Sequence, residues 1–348
     1  MTGFAVELPE GLKRAARQLP GGSAWLRNWP GILQRYLEGW ELTLDLPSGR
    51  PPWSGQCSVV LPVLTPEGTE AALKIGVPHE ESRTEPEALT LWGGAGAVRL
   101  LASNAADSVL LLERLDARRP LGSLPLEQTT AIWGALMRQL SLRPDARSDW
   151  ARIPALAAEA ETWTDTLPAD WEATGRPFPR WLLEHALETC QVRGAVGRRS
   201  ARDVLVHSDL HYGNILARRT PDAGAGASAS EGPAAEQPPA RGFVAIDPKP
   251  LLGDAEYAVA PMLWNRIGDL PPADPASELR LRCAALAASA GLDPELARDW
   301  AVVREVRNAL YYLELGSPGD ARRSLWVASS LLGRTLPDLP PAHLLSAP

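Results

Sequence analysis

The stretch Val204-Leu205-Val206-His207-Ser208-Asp209-Leu210-His211-Tyr212-Gly213-Asn214-Ile215-Leu216 decides how this chain is read. Its apolar start has the composition of a strand, and it runs into a carboxylate and an amide set five positions apart. A second apolar run, Phe243-Val244-Ala245-Ile246, ends in Asp247-Pro248. Two strand-like segments thus each end in hard oxygen donors. Phosphoryl transfer needs such groups: a carboxylate to orient or accept the proton of an attacking hydroxyl, and one or two protein oxygens for a Mg²⁺ that fills the rest of its shell with water and phosphate. Asp209 is the candidate catalytic carboxylate, and Asn214 and Asp247 are the candidate metal ligands.

The protein-kinase catalytic loop has the form H-R-D-x-x-x-x-N, followed by D-F-G. Here Ser208 stands where that arginine would be, Pro248 and Lys249 follow Asp247, and no A-P-E comes after. The missing pieces serve switching by phosphorylation, so a constitutively active small-molecule kinase is the better reading. A Rossmann or P-loop reading fails on its main feature, because neither G-x-G-x-x-G nor G-x-x-x-x-G-K-[ST] occurs.

The segment 204–216, with Ile246-Asp247-Pro248-Lys249-Pro250, Gly253-Asp254-Ala255-Glu256-Tyr257 and Ala260-Pro261-Met262-Leu263-Trp264-Asn265-Arg266, resembles the aminoglycoside phosphotransferase family, in its streptomycin 6-phosphotransferase and hydroxyurea phosphotransferase branch. The resemblance implies an α+β, bilobal protein-kinase-like fold, with a small strand-rich N-terminal lobe and a larger, mostly helical C-terminal lobe. It implies ATP and Mg²⁺ as cofactors, a small-molecule acceptor, and antibiotic inactivation by adding a charged phosphate.

Upstream, Ala71-Ala72-Leu73-Lys74-Ile75 is similar to the V-A-I-K strand whose lysine grips nucleotide phosphates and pairs with a helix glutamate. Lys74 is one of only three lysines, with Lys13 and Lys249, in a chain rich in arginine, which suggests that a compact ammonium is wanted there. For its partner the family pattern favours Glu85, with Glu87 as the alternative, because Pro86 suits only the first turn of a helix. Pro51 to Val60 reads as a polar turn before a strand, where Ser54, Gly55 and Ser58 offer donors to phosphate or make an ordinary hairpin. By resemblance alone, the backbone from Glu113 to Leu115 binds the nucleotide base.

Just past Asp247, the residues Asp254, Glu256 and Tyr257 are candidates to face the acceptor, with Glu305 and Glu314 as further acids on a late helix. Carboxylates would pair with streptomycin guanidinium groups, whereas hydroxyurea needs none. Three other readings compete. The H-x-D-x-H of His207, Asp209 and His211 fits a metallohydrolase, although no further ligand cluster exists in the sequence. A catalytically inactive kinase-fold binding protein is the second, and a metabolic sugar or amino-alcohol kinase the third.

The net charge of −7 argues against nucleic acid as a partner. Cys57, Cys190 and Cys283 match no zinc or disulfide framework, which points to a reducing cytoplasm. No apolar run approaches the roughly 18 residues needed to span a membrane, so no membrane partner is expected. A monomer or weak dimer is expected. The organisation expected is a nucleotide-binding lobe over 1–115 and a catalytic and acceptor-binding lobe over 116–348, the latter with helical periodicity in five segments between Leu126 and Leu315. Thr220 to Ala240, rich in Ala, Gly, Pro and Ser, reads as a flexible insertion at a hairpin tip. Doubling a loop costs only about 0.6 kcal/mol, so such an insertion need not disturb the site.

Overall fold

The structure, a computed structural model, describes residues 6–47, 49–79, 83–193, 201–219 and 242–345. The insertion expected at 220–240 lies outside the described residues. The chain divides into two compact units, one holding the described residues up to Ala117 with Arg218 and Arg219, the other the remainder.

The first unit is built on an antiparallel sheet. Its strands are β1 (Thr43–Leu44), β2 (Trp53–Ser54), β3 (Ser58–Leu64), β4 (Glu70–Gly76), β5 (Leu100–Asn104) and β6 (Val109–Glu113), in the order β1-β3-β4-β6-β5, with β2 also on β3. β1 and β2 lie along one edge of β3, opposite Leu64 and Val63 and then Val60 and Val59. The central strand β4 is buried from Ala71 to Gly76, as its near-continuous apolar run requires. β6 ends at Glu113, and the strand breaks at Arg114. That side chain turns inward, donates to the carbonyls of Ala71 (3.1 Å) and Val63 (2.5 Å), and pairs with Asp45, and β7 (Leu115–Pro120) begins beyond it.

This unit also holds more helix than a strand-rich reading anticipates. α1 (Glu10–Gln18) and α2 (Gly22–Gly39) precede the sheet, and α3 (Glu85–Trp92) follows β4. Leu12, Ala16, Trp25, Trp29, Leu33 and Tyr36 from α1 and α2 join Val59, Leu61, Val63, Leu73 and Ile75 of the sheet in one core. α2 starts from Gly21 at φ +76°, a left-handed conformation that favours glycine, and runs through Pro30. Gly21-Gly22 and Pro30 interrupt the helical pattern in the sequence, which is why it is hard to see there.

The second unit is mainly helical. It contains α4 (Leu126–Leu140), α5 (Leu156–Ala173), α6 (Arg180–Arg193), α7 (Ala260–Trp264), α8 (Pro275–Ala290), α9 (Pro294–Glu314) and α10 (Pro318–Leu331). Trp133, Trp163, Trp171 and Trp300, all on these helices, are core anchors. Four short strands carry the motifs: β8 (Val204–His207), β9 (Ile215–Arg218), β10 (Phe243–Ala245) and β11 (Pro250–Gly253). β10, β9 and β7 form one sheet, and β11 and β8 another. Gly253 of β11 approaches α5 so closely that a Cβ would lie 2.5 Å from that of Leu156, so the glycine of the Gly-Asp-x-Glu-Tyr motif is required by packing. Among the described residues no helix is long and apolar enough to cross a membrane.

Candidate active site

In the second unit, strand register brings distant motifs together. β8 runs antiparallel to β11 with His207 opposite Pro250, and β9 antiparallel to β10 with Ile215 opposite Ala245. The turns 208–214 and 246–249 are therefore neighbours, although 38 positions separate Asp209 from Asp247. Hydrogen bonds tie them. Ser208 donates to the Lys249 carbonyl from its N–H (3.3 Å) and its Oγ (2.5 Å), and the Ile246 N–H donates to the Asn214 carbonyl at 2.9 Å. His207 Nε2–H donates to the Ile246 carbonyl at 3.0 Å. Full burial lowers the pKa of His207, so the ring is a neutral brace between the turns.

Asp209 sits at the centre. Its Oδ1 accepts from Arg304 Nη2 of α9 at 3.1 Å, and its Oδ2 lies 3.7 Å from Lys249 Nζ. Arg304 also donates to the Ser208 carbonyl, so one guanidinium fixes both the backbone and the side chain of the turn. Burial works to raise the pKa of Asp209, but the neighbouring positive charges, Lys249 and then Arg304 foremost, outweigh it and hold the carboxyl below its ordinary value. Neither Arg304 nor Lys249 is singled out by sequence reasoning as a site residue.

Asn214 folds back onto this turn. Its Nδ2 donates to the Asp209 carbonyl at 3.0 Å and its N–H to the His211 carbonyl at 3.0 Å. With the amide nitrogen turned inward, Oδ1 is the end left for a cation. Asp247, half-buried, has φ +55°, a left-handed conformation that costs a residue with a Cβ about 1 kcal/mol and is often kept at functional sites. An amide oxygen and a carboxylate on two hydrogen-bonded turns suit a Mg²⁺ that draws its other ligands from water and phosphate.

The H-x-D-x-H pattern does not form a metal site. His207 is turned to the Ile246 carbonyl, and His211 Nδ1 accepts from the Gly213 N–H at 3.1 Å. Among the described residues no group of three or more His, Cys, Asp or Glu is arranged around a metal position.

In the first unit, Lys74 of β4 reaches both carboxylate oxygens of Glu85, each at 2.7 Å, with the two side chains 10% and 5% exposed. The alternative between Glu85 and Glu87 is thereby resolved for Glu85. α3 begins at Glu85, so Pro86 falls in the first turn, where a missing N–H costs nothing. Ser54 lies in the β2–β3 hairpin, whose turn closes with Gly55 N–H donating to the Ser58 carbonyl at 3.0 Å. Glu113 ends β6 with its N–H donating to the Arg99 carbonyl (3.0 Å) and its carboxylate accepting from Arg99 N–H (2.9 Å), and Leu115, buried, begins β7.

Asp254, Glu256 and Tyr257, the candidates to face the acceptor, make contacts with α9 and its N-terminus. Asp254 Oδ2 accepts from Trp300 Nε1 at 3.0 Å. Glu256, 3% exposed, accepts from Arg202 (3.0 Å) and from the N–H of Asp293, the N-cap of α9 (3.2 Å). The buried Tyr257 packs edge-on against Trp300 and bonds Arg307 through its hydroxyl at 3.2 Å. For Glu256 and Tyr257 the cause is local: Ala255–Val259 is a fully buried 3-10 turn, which directs these two side chains into the fold, and half-buried Asp254 precedes it. Glu305 is likewise no surface acid but fully buried, and burial pushes its pKa up to about 7.

With this geometry established, three comparisons bear on identity. A family model described as aminoglycoside/hydroxyurea antibiotic resistance kinase matches residues 45–316. The streptomycin 6-kinase of Streptomyces glaucescens is 33% identical, covering 95% of this chain and 99% of its own. The hydroxyurea phosphotransferase of Kitasatospora aureofaciens is 35% identical, with 95% and 88% covered. Among solved structures, a variant of aminoglycoside phosphotransferase APH(4)-Ia in a ternary complex with ADP and hygromycin B superposes with a TM-score of 0.54 at 14% identity, over 87% of this chain and 97% of the other. The fold is thus protein-kinase-like, and the chain belongs to the aminoglycoside/hydroxyurea antibiotic resistance kinase family.

Proposed function

We propose that this kinase transfers the γ-phosphoryl group of ATP to a hydroxyl of a small antibiotic of the streptomycin or hydroxyurea type, and so inactivates it. The observation that carries the reading is the Asp209 turn: an ionised carboxylate fixed by Arg304, with Asn214 folded back on it and the Asp247 turn hydrogen-bonded alongside. A carboxylate held below its ordinary pKa is a weak base. Asp209 therefore orients the hydroxyl and takes its proton late, once bond formation to phosphorus has made that proton acidic. Asn214 and Asp247 would hold Mg²⁺, which when bound neutralises phosphate charge. Lys74, fixed by Glu85, grips the α- and β-phosphates. The Ser54 hairpin contributes donors to phosphate, and the Glu113 to Leu115 backbone contacts the base.

Asp254, Glu256 and Tyr257 act through α9, bracing the helix that brings Arg304 to Asp209. Acceptor recognition then does not depend on an acidic patch made by these three, which favours an acceptor chosen by shape and hydroxyl placement over one chosen by charge alone. A cytoplasmic monomer or weak dimer is the form in which we expect it to act, with ATP at hand and its three cysteines, none of them in a disulfide, kept reduced.

The test is direct: purified protein with ATP and Mg²⁺ is offered streptomycin, hydroxyurea, choline and ethanolamine, with products read by mass spectrometry. Phosphorylated streptomycin or hydroxyurea supports the proposal. Phosphorylation of choline or ethanolamine alone would move the protein to the metabolic kinases.

A further inference from the structure

Lysine is rare here. Of 35 Lys and Arg residues only Lys13, Lys74 and Lys249 are lysines, and Lys13 pairs with the exposed Glu10 on the outer side of α1. Lys249 lies between Pro248 and Pro250, and proline restricts both its own φ and the residue before it. The Lys249 carbonyl accepts twice from Ser208, and Pro250 pairs with His207 in the ladder. The root of this side chain is therefore locked to the turn that carries Asp209.

The two cations at Asp209 are differently placed. Arg304, 15% exposed, serves Oδ1 and the Ser208 carbonyl, a holding role. Lys249, 44% exposed, puts its ammonium 3.7 Å from Oδ2. A hydroxyl that donates to Asp209 brings the phosphorus it attacks close to that carboxylate, and the phosphoryl group in flight spreads its charge over three equatorial oxygens. An ammonium rooted beside Asp209 is within reach of those oxygens. A compact charge on a flexible stem can follow them as they move, which a guanidinium fork already committed to Oδ1 and the Ser208 carbonyl cannot.

We infer that Lys249 is a further catalytic residue, whose ammonium binds the phosphoryl group during transfer. The inference rests on the phosphotransferase reading above. In the step, the acceptor oxygen bonds to the γ-phosphorus as the bond from that phosphorus to the bridging oxygen breaks, and the electron pair leaves with ADP. The hydroxyl proton passes to Asp209. Lys249 keeps its proton throughout and offsets charge.

The experiment compares wild type, Lys249→Met, Lys249→Arg and Asp209→Asn. It measures kcat, KM for ATP and acceptor, the affinity for ADP, and the affinity for ADP with aluminium fluoride in the presence of acceptor. We expect kcat of Lys249→Met to fall about 10²-fold, with both KM values within about threefold. Affinity for the planar fluoride complex should fall in step while ADP binding, which also reports folding, stays unchanged. Lys249→Arg should recover part of kcat. Wild-type kcat in Lys249→Met, or an equal loss of ADP and fluoride-complex affinity, overturns the inference while Asp209→Asn remains inactive. If Asp209→Asn also turns over like wild type, the phosphotransferase reading itself fails, and the inference with it.

Discussion

Each unit holds one cation–carboxylate pair at its candidate site, and the two are built in opposite senses. In the first, Lys74 and Glu85 are both buried, and both oxygens of the glutamate hold the ammonium. In the proposed function the cation there is the working group and the carboxylate positions it. In the second, the proposed function makes Asp209 the working group, held at one oxygen by the largely buried Arg304 and faced at the other by the half-exposed Lys249. The residue that contacts a substrate need not be the more exposed of its pair; what each pair shares is a partner with few other conformations. A buried pair gives little net stability, yet breaking it by removing one partner is costly, so these sites tie function to folding.

The comparison breaks most sharply at the metal. Asp247→Ala should lower turnover by roughly 10²-fold or more and abolish the Mg²⁺ dependence of nucleotide binding. Calorimetry with and without Mg²⁺ checks this, and unchanged Mg²⁺-ATP binding would make Asp247 structural. Next, Glu85→Gln should leave Lys74 with a weaker, neutral partner. The ATP KM should rise about tenfold, and denaturant melts should reveal a loss on the order of 3 kcal/mol. The acceptor KM should hardly move.

Glu305 sharpens the second half of the comparison, since it neighbours Arg304 on α9 but faces the interior. Burial lifts its pKa from the ordinary 4.5 to about 7. The neutral form is the one the fold favours, so its contribution is fully present below about 4.5 and is lost as pH rises through about 7. Wild type should therefore melt lower at pH 8 than at pH 5.5, and Glu305→Gln should remove much of the difference, up to roughly 2 kcal/mol. A mutant with the same pH slope as wild type would contradict the assignment. The smallest effect is expected at Glu256. Glu256→Gln weakens the tie between Arg202 and the N-terminus of α9, so kcat should drop a few-fold with the acceptor KM unchanged, and salt should not alter that KM.

How much of this is legible in the sequence depends on whether a residue's role follows from its neighbours along the chain. Strands β4, β8 and β10 are visible because buried strands are short apolar runs, and Lys74 is visible because it is one lysine in such a run. Asp209, Asn214 and Asp247 carry their spacing with them. Arg304 does not: it is one arginine among many on a helix whose period is plain, and only packing reveals that its side chain meets a carboxylate 95 positions earlier. The contacts of Asp254, Glu256 and Tyr257 with α9 are hidden for the same reason: they follow Asp247 closely along the chain, and only the fold shows their partners on α9. Lys249 had a signal, its rarity, whose meaning needed the Asp209 distance.

The most direct test of the division of labour measures nucleotide affinity and turnover in parallel for Lys74→Met and Asp209→Asn. Asp209→Asn should bind Mg²⁺-ATP as wild type does, while turnover of the best acceptor falls about 10²-fold or more. Lys74→Met should lose nucleotide affinity, with the remaining deficit in kcat smaller than that of Asp209→Asn. Near wild-type turnover in Asp209→Asn, or nucleotide affinity unchanged in Lys74→Met, would contradict the account.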